Sequence, residues 1–368
     1  MVLDPIALTQ ELVRLPSVSS SDGQQAVLSF LGEHLRHEGF VVKLDGGTSP
    51  QFLLATSSTV RESPVLLFVC HVDTVPVGDL SEWTRDPFAG EISDGRIWGR
   101  GSSDMKSGLA ASMVALLEAG AAGPSAALLL TTDEEIGCLG AAAARYALEP
   151  LNVQAIVVPE STDNLVALGH RGALWLRLAA QGVAAHGGTP ELGKSALLSL
   201  AGSLIDIDAR FPRRAGGAGL GSTTINFGTM SAGTAPNIVA DRASAIVDIR
   251  FSGRDEPVSL LEWFAQNEPE LVVESLLEIG PLSTPAGSAW IKSLSAEIAE
   301  PASANYFTDT AVLAPMFPRV PVAIWGPGQG HLAHARDESV PVRQIRDAVA
   351  MYATTLTAWP SISTQLGE

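Results

Sequence analysis

Cysteine is almost absent: only Cys70 and Cys138 occur in 368 residues, too few to build a disulfide scaffold for a chain of this length. Both adjoin histidine or acidic motifs and read as small buried residues. Basic residues are also scarce, with 23 Lys and Arg against 40 Asp and Glu and a formal charge of −17. No Lys- or Arg-rich run could neutralise a phosphate backbone, so nucleic acid is not an expected partner. The charge does not choose the substrate, because a few well-placed arginines can bind an anion in an acidic protein. Long apolar runs are missing too. Stretches such as Ala126 to Leu130 and Ala141 to Ala144 fall far short of the ~20 residues a membrane span needs, and no membrane partner is expected. The opening MVLDPIALTQELVRLPSVSS has an acid at position 4 and neither a basic leader nor an apolar signal core, so a cytoplasmic location is expected.

What is present is ordinary globular material. The length exceeds what one core usually serves, and 46% hydrophobic residues suffice for two. Residues 24 to 38 place Val27, Leu28, Leu31 and Leu35 on one face of a helix closed by Gly39, with His34 and His37 on its polar side. Three short apolar runs, Val65 to Cys70, Ala127 to Thr131 and Ala155 to Val158, are separated by helical stretches, the pattern of buried strands in an open α/β sheet. Between about 173 and 282 the texture changes to alternating strands around two helical stretches, Lys194 to Ala209 and Pro257 to Gln266. This predicts an α+β insert with an antiparallel sheet. An α/β pattern, including the strand Val322 to Trp325, then resumes. The expected fold is therefore a discontinuous α/β domain, 1–172 and 283–368, with an open, mostly parallel sheet and helices on both faces, interrupted by the insert 173–282. No internal repeats occur.

The apolar runs end in residues of catalytic type: His71 and Asp73, then Asp133, Glu134 and Glu135, then Glu160. Ligands of open α/β sheets collect beyond the carboxyl ends of the strands. His71 with Asp73 is a pair in which an imidazole can bind a metal while a carboxylate orients it, although alone it is weak. Asp104 precedes an alanine- and leucine-rich stretch, where its mundane role is a helix N-cap. Adjacent Glu134 and Glu135 can point different ways, one holding a metal and the other moving protons; two acids there repel unless a cation is present. Glu160 could be an ordinary loop carboxylate. Near the end, GPGQGHLAHARDESV carries two histidines after a strand, and His331 or His334 would complete a set. Together these give two histidines, three carboxylates and a spare glutamate, enough for two divalent ions bridged by one carboxylate.

HVDTVP, WGRGSSDMK, DEEIG, PEST and the ending His334 to Glu338 resemble, in order and separation, the M20 family of co-catalytic metallopeptidases and deacylases. The resemblance spans nearly the whole chain. It implies two divalent metal ions, zinc first and cobalt or manganese as alternatives. Asp104 would bridge them, His71 and Glu160 would complete one site, and Glu135 and His334 the other. His334 is preferred over His331 for its spacing to Asp337 and Glu338. Glu134 would be the general base and Asp73 would orient His71. The insert resembles the family's lid and dimerisation domain. In GVAAHGGTPELGKSAL, His186 would reach a partner subunit's site and help stabilise the oxyanion, which implies a homodimer. Asn237, Arg250 and Thr308, the last in NYFTDTAVL beside Asp309, match substrate-side positions. Ala240 departs from the proline common in relatives. The implied reaction is zinc-dependent cleavage of the amide of an N-acylated amino acid, of the deacetylase or desuccinylase type. A dipeptidase or carboxypeptidase acting on short peptides is the alternative. A non-catalytic descendant and a two-metal phosphoesterase are remoter readings.

Overall fold

The structure, a computed structural model, describes residues 3–366 apart from 46, 48, 49, 61, 62, 217, 218 and 295. Positions 1 and 2 of the opening stretch read above lie outside the described residues. The chain divides into two compact units, Met1–Gly169 with Leu282–Glu368, and His170–Pro281.

The first unit is built on a six-stranded sheet of β1 (Val41–Asp45), β2 (Phe52–Thr56), β3 (Val65–His71), β4 (Ala126–Thr131), β5 (Val153–Ser161) and β6 (Val322–Gly326), in the order β1-β2-β4-β3-β5-β6. The neighbours β4, β3, β5 and β6 are mutually parallel, while β2 runs antiparallel to both β1 and β4. The parallel strands are buried on both faces, and this is why they read as continuous apolar runs and not as alternations. Leu66, Phe68 and Cys70 of β3 and Leu128 and Leu130 of β4 share one core with α1 (Pro5–Arg14), α2 (Gly23–His37), α3 (Ser107–Ala119) and α5 (Val342–Leu366), which leaves α4 (Leu139–Leu148) on the other face. There Phe52 meets Tyr146 of α4 edge to face, with ring centroids 5.8 Å apart. Helices thus cover both faces, and the expected helix over 24–38 is α2 to within a residue.

Because β3, β4, β5 and β6 are parallel, their carboxyl ends, at His71, Thr131, Ser161 and Gly326, open onto one edge. A small antiparallel ribbon of Glu91–Ser93, Arg96–Trp98 and Ser339–Pro341 joins the segment before Asp104 to the segment after His334, pairing Ser339 with Trp98 and Val340 with Ile97.

The second unit is a four-stranded antiparallel sheet in the spatial order Thr224–Ala232, Arg242–Phe251, Gly172–Gln181, Val272–Ile279. The helices Ala196–Arg210 and Glu256–Asn267 cover one face around Leu174, Leu176, Val247, Ile249, Leu200 and Phe264. Alternation of burial along Arg242–Phe251 is the period-2 signature of a sheet with one face packed. Among the described residues no helix is long and apolar enough to cross a membrane.

Candidate active site

His71 is the last residue of β3 and is buried. Its Nε2 lies 3.1 Å from Asp104 Oδ1 and 3.5 Å from Glu160 Oε1. On the other side, His334 Nε2 lies 2.9 Å from Glu135 Oε2 and 3.4 Å from Asp104 Oδ2. The two oxygens of Asp104 therefore face different imidazoles. Donor atoms of His71, Asp104 and Glu160 all fall within 4.8 Å of one another, as do those of Asp104, Glu135 and His334. These are two groups able to hold a cation, with one carboxylate in common. The five residues come from the ends of β3 and β5, the loop before α3, the turn after β4 and the loop after β6. His331 is exposed and belongs to neither group.

The loop 102–106 leaves helical geometry at Asp104 and Met105, whose peptide bond is cis, so Asp104 is not the N-cap of α3. His334 has φ +63 and Asp133 φ +59, left-handed conformations that ordinary side chains adopt at a cost and that recur at functional sites.

Asp73 does more than face His71. Its backbone carbonyl is 3.0 Å from His71 Nδ1, while its carboxylate stands 3.5 Å away. That carboxylate accepts from the Ser19 hydroxyl at 2.7 Å and from the N–H groups of Glu134 and Glu135 at 3.1 and 3.3 Å. It thus fixes the turn that presents both glutamates. Glu134 is buried beside the two groups but belongs to neither. Asp309 is buried near it and accepts from the Thr131 hydroxyl. Buried Thr308 shares a 2.5 Å hydrogen bond with Thr310.

The electrostatics are those of crowded buried acids. Burial, followed by the charge of Asp104, pushes Glu160 up to about 7. Burial raises Glu134 well above the usual carboxylate range, with Asp309, Glu135 and Glu160 adding to it. Burial and the charge of Asp104 raise Glu135 as well. Burial would also raise Asp104, but hydrogen bonds to His334 and His71 overcome it and lower the group. Burial disfavours a charged His71, yet Asp104, Asp73 and Glu160 outweigh that and raise it well above the ordinary imidazole value. Hydrogen bonds to Asp104 and Glu135 take His334 up to about 10. Carboxylates crowded in this way raise both imidazoles, which is the electrostatic setting that a divalent cation would stabilise.

In the second unit, His186 and Asn237 are exposed neighbours: Gly187 N–H donates to Asn237 O at 2.7 Å, and His186 pairs with Ile238. The Gly188 N–H donates to His186 Nδ1 at 3.0 Å, which places the ring proton on Nε2. Arg250 donates from Nε and Nη2 to Asp248 at 3.0 and 2.9 Å.

In the sequence Glu338 stands out only by its spacing from His334, and Arg100 not at all. Both are buried, with Arg100 Nη1 2.7 Å from Glu338 Oε2. The available signal was the fixed distance of Glu338 from His334 and an arginine just upstream of Asp104.

Two imidazole–carboxylate groups sharing one aspartate, on the carboxyl edge of an α/β sheet, are the arrangement a metal-dependent hydrolase would use. The family can be named as well: residues 67–358 match the model described as Peptidase family M20/M25/M40, and the chain belongs to that family. It is 31% identical over 382 residues to a succinyl-diaminopimelate desuccinylase of Cereibacter sphaeroides, covering 97% of this chain and 99% of that one. It is 33% identical over 388 residues to a probable carboxypeptidase of Emericella nidulans, covering 96% of this chain and 89% of that one. The fold is similar to that of an M20 family metallo-carboxypeptidase from Sulfolobus solfataricus, with TM-score 0.76 at 18% identity, over 98% of this chain and 100% of the other. The chain is a metal-dependent amide hydrolase.

Proposed function

We propose that the chain is a di-zinc amidohydrolase that removes the acyl group from an N-acylated amino acid, of the desuccinylase or deacetylase type. The observation that carries this reading is the sharing of Asp104 between two donor groups, with Glu134 buried alongside. In this reading His71, Asp104 and Glu160 would hold one ion and Asp104, Glu135 and His334 the other, with Asp104 common to both. Imidazole nitrogens and carboxylate oxygens suit zinc, with cobalt or manganese as alternatives.

Two divalent ions bound there would polarise the amide carbonyl and acidify water. Glu134, which is not needed as a ligand, takes the proton of the attacking water on its carboxylate and hands it to the leaving amine. Asp73 holds the 134–135 turn and orients His71. His186 donates from Nε2 to the developing oxyanion in a partner subunit, and Asn237, Arg250 and Thr308 stand on the substrate side. The planar fork of Arg250 suits a substrate carboxylate. These second-unit roles, and that of Thr308, rest on the family resemblance.

The working unit is then a homodimer formed through the second unit. Leu198 and Ile205, 70% and 71% exposed on the helix Ala196–Arg210, support such a face. Light scattering should find a dimer, and Leu198→Glu with Ile205→Glu should yield folded monomers; a monomeric wild type would remove this part of the reading. Both cysteines are free and buried, as suits a cytoplasmic setting.

A second reading, a dipeptidase or carboxypeptidase acting on short peptides, is favoured by the 33% identity to the probable carboxypeptidase. N-acetyl and N-succinyl amino acids should be tested beside dipeptides, before and after chelation and zinc readdition. Loss and recovery of activity on the acylated amino acids supports the lead reading. The same behaviour on dipeptides alone selects the second.

A further inference from the structure

Glu338 has almost no solvent exposure and every accepting direction of its carboxylate is used. Oε1 accepts the N–H groups of Ser103 at 2.8 Å and Asp104 at 3.0 Å. Oε2 accepts the N–H of Gly101 at 3.1 Å and Arg100 Nη1 at 2.7 Å. Three backbone donors converging on one carboxylate form an anion-binding nest, and this nest is the loop that presents Asp104. Arg100 extends the hold to the other loop. Its Nη1 also donates to Ala335 O at 3.2 Å and its Nη2 to His334 O at 3.4 Å. One buried ion pair therefore joins the backbone that carries Asp104 to the backbone that carries His334.

We propose that Glu338 is a positioning residue for the metal centre, one that sets the placement of Asp104 relative to His334 by holding the backbone N–H groups of residues 101, 103 and 104 while paired with Arg100. It is a member of neither donor group; its one bond to either group is to the backbone N–H of Asp104, and it acts through that residue. This inference rests on the two-ion reading given above. A carboxylate is required because a neutral amide presents N–H where the nest also presents N–H, and because Arg100 needs a counter-charge in a buried place. Removing a residue that orients metal ligands commonly costs roughly 10- to 100-fold in metal affinity.

The test is zinc affinity of the full chain, measured by competition with a chromophoric chelator on Glu338→Gln, on the double variant Arg100→Met/Glu338→Gln and on Trp359→Phe. The double variant removes the unpaired buried charge that could unfold the single one. Trp359→Phe breaks a 2.9 Å bond to Pro64 O, just before β3 and so at the opposite end of that strand from His71, and serves as a control for general weakening. Thermal unfolding establishes that each variant is folded. Both Glu338 variants should lose roughly 10- to 100-fold in affinity for at least one zinc equivalent, while Trp359→Phe binds like wild type. A folded double variant that binds two zinc ions as tightly as wild type overturns the role of Glu338 and leaves the two-ion reading standing. A wild type that binds fewer than two overturns the two-ion reading itself, and this inference with it.

Discussion

Glu134 and Glu135 are neighbours in sequence, yet of the two only Glu135 lies in a group able to hold a cation. The proposed mechanism makes Glu135 a ligand and Glu134 the base, and substitution separates the two roles. Glu134→Gln keeps the volume of the side chain but cannot take a proton, so kcat should fall by roughly 100- to 10,000-fold while zinc content, measured by elemental analysis, stays at the wild-type level. Turnover near wild type would show that Glu134 is not the base. A second residue-level prediction concerns His170, buried with no hydrogen-bond partner at Nε2 among the described residues. Burial pushes it down to about 4, against its ordinary 6.5, with Arg250 contributing. The folded chain thus binds this proton less well than the unfolded chain. Its contribution to stability is whole above pH 6.5 and is lost as pH falls towards 4, by about 3 kcal/mol. In chemical denaturation His170→Asn should lose less stability than wild type across that window; identical slopes would contradict a neutral buried ring. At this scale, residues that end apolar strands were legible. His71, Glu135 and Glu160 stand at such ends, and two imidazoles with three carboxylates already suggest a pair of ions. The hydrogen bonds of Asp73 to residues 134 and 135, and the convergence of residues 101, 103 and 104 on Glu338, were not. They join backbone groups remote in sequence and leave no mark in local pattern.

The elements carry the site because each parallel strand stops at the same edge, and their packing leaves little slack. Gly108, in the first turn of α3, shows how little: a Cβ built there would lie 1.8 Å from Pro159 O, the residue before Glu160. Gly108→Ala must push α3 away from the end of β5, at a cost of at least the usual 1–3 kcal/mol or so of overpacking. Its melting temperature should fall by several degrees, with weaker zinc binding because Asp104 and Glu160 lie on the two sides being separated. Unchanged melting would mean the helix can shift freely. The strands β3 to β6 were readable because burial on both faces makes each an unbroken apolar run. Val272–Ile279 is not legible in the sequence: it is a sheet-edge strand with mostly exposed side chains, and its pairing shifts register between Ser275 and Leu277, so neither a continuous run nor a clean alternation survives. The short ribbon beside Asp104 is not legible because its strands are three residues long, too few positions for a period.

For the whole molecule, two cores built from one chain explain why a long insert can interrupt an α/β sheet without disturbing it: each unit has its own packed interior. The metal-centre candidates all belong to the first unit: His71, Asp104, Glu135 and Glu160 precede the insert and His334 follows it, so the group of Asp104, Glu135 and His334 draws on both segments of the chain. The architecture and this cluster could be anticipated, since both depend on strand order and strand ends. The acyl group could not, because specificity depends on side-chain placement that spacing does not encode. The central claim is that one carboxylate serves two ions, and the most direct measurement is zinc content per chain of Asp104→Ala beside wild type after removal of loosely bound metal. The account predicts two ions in wild type and neither retained in the folded variant, because both groups lose their common member. A variant that keeps one tightly bound ion, or a wild type that holds only one, would contradict it.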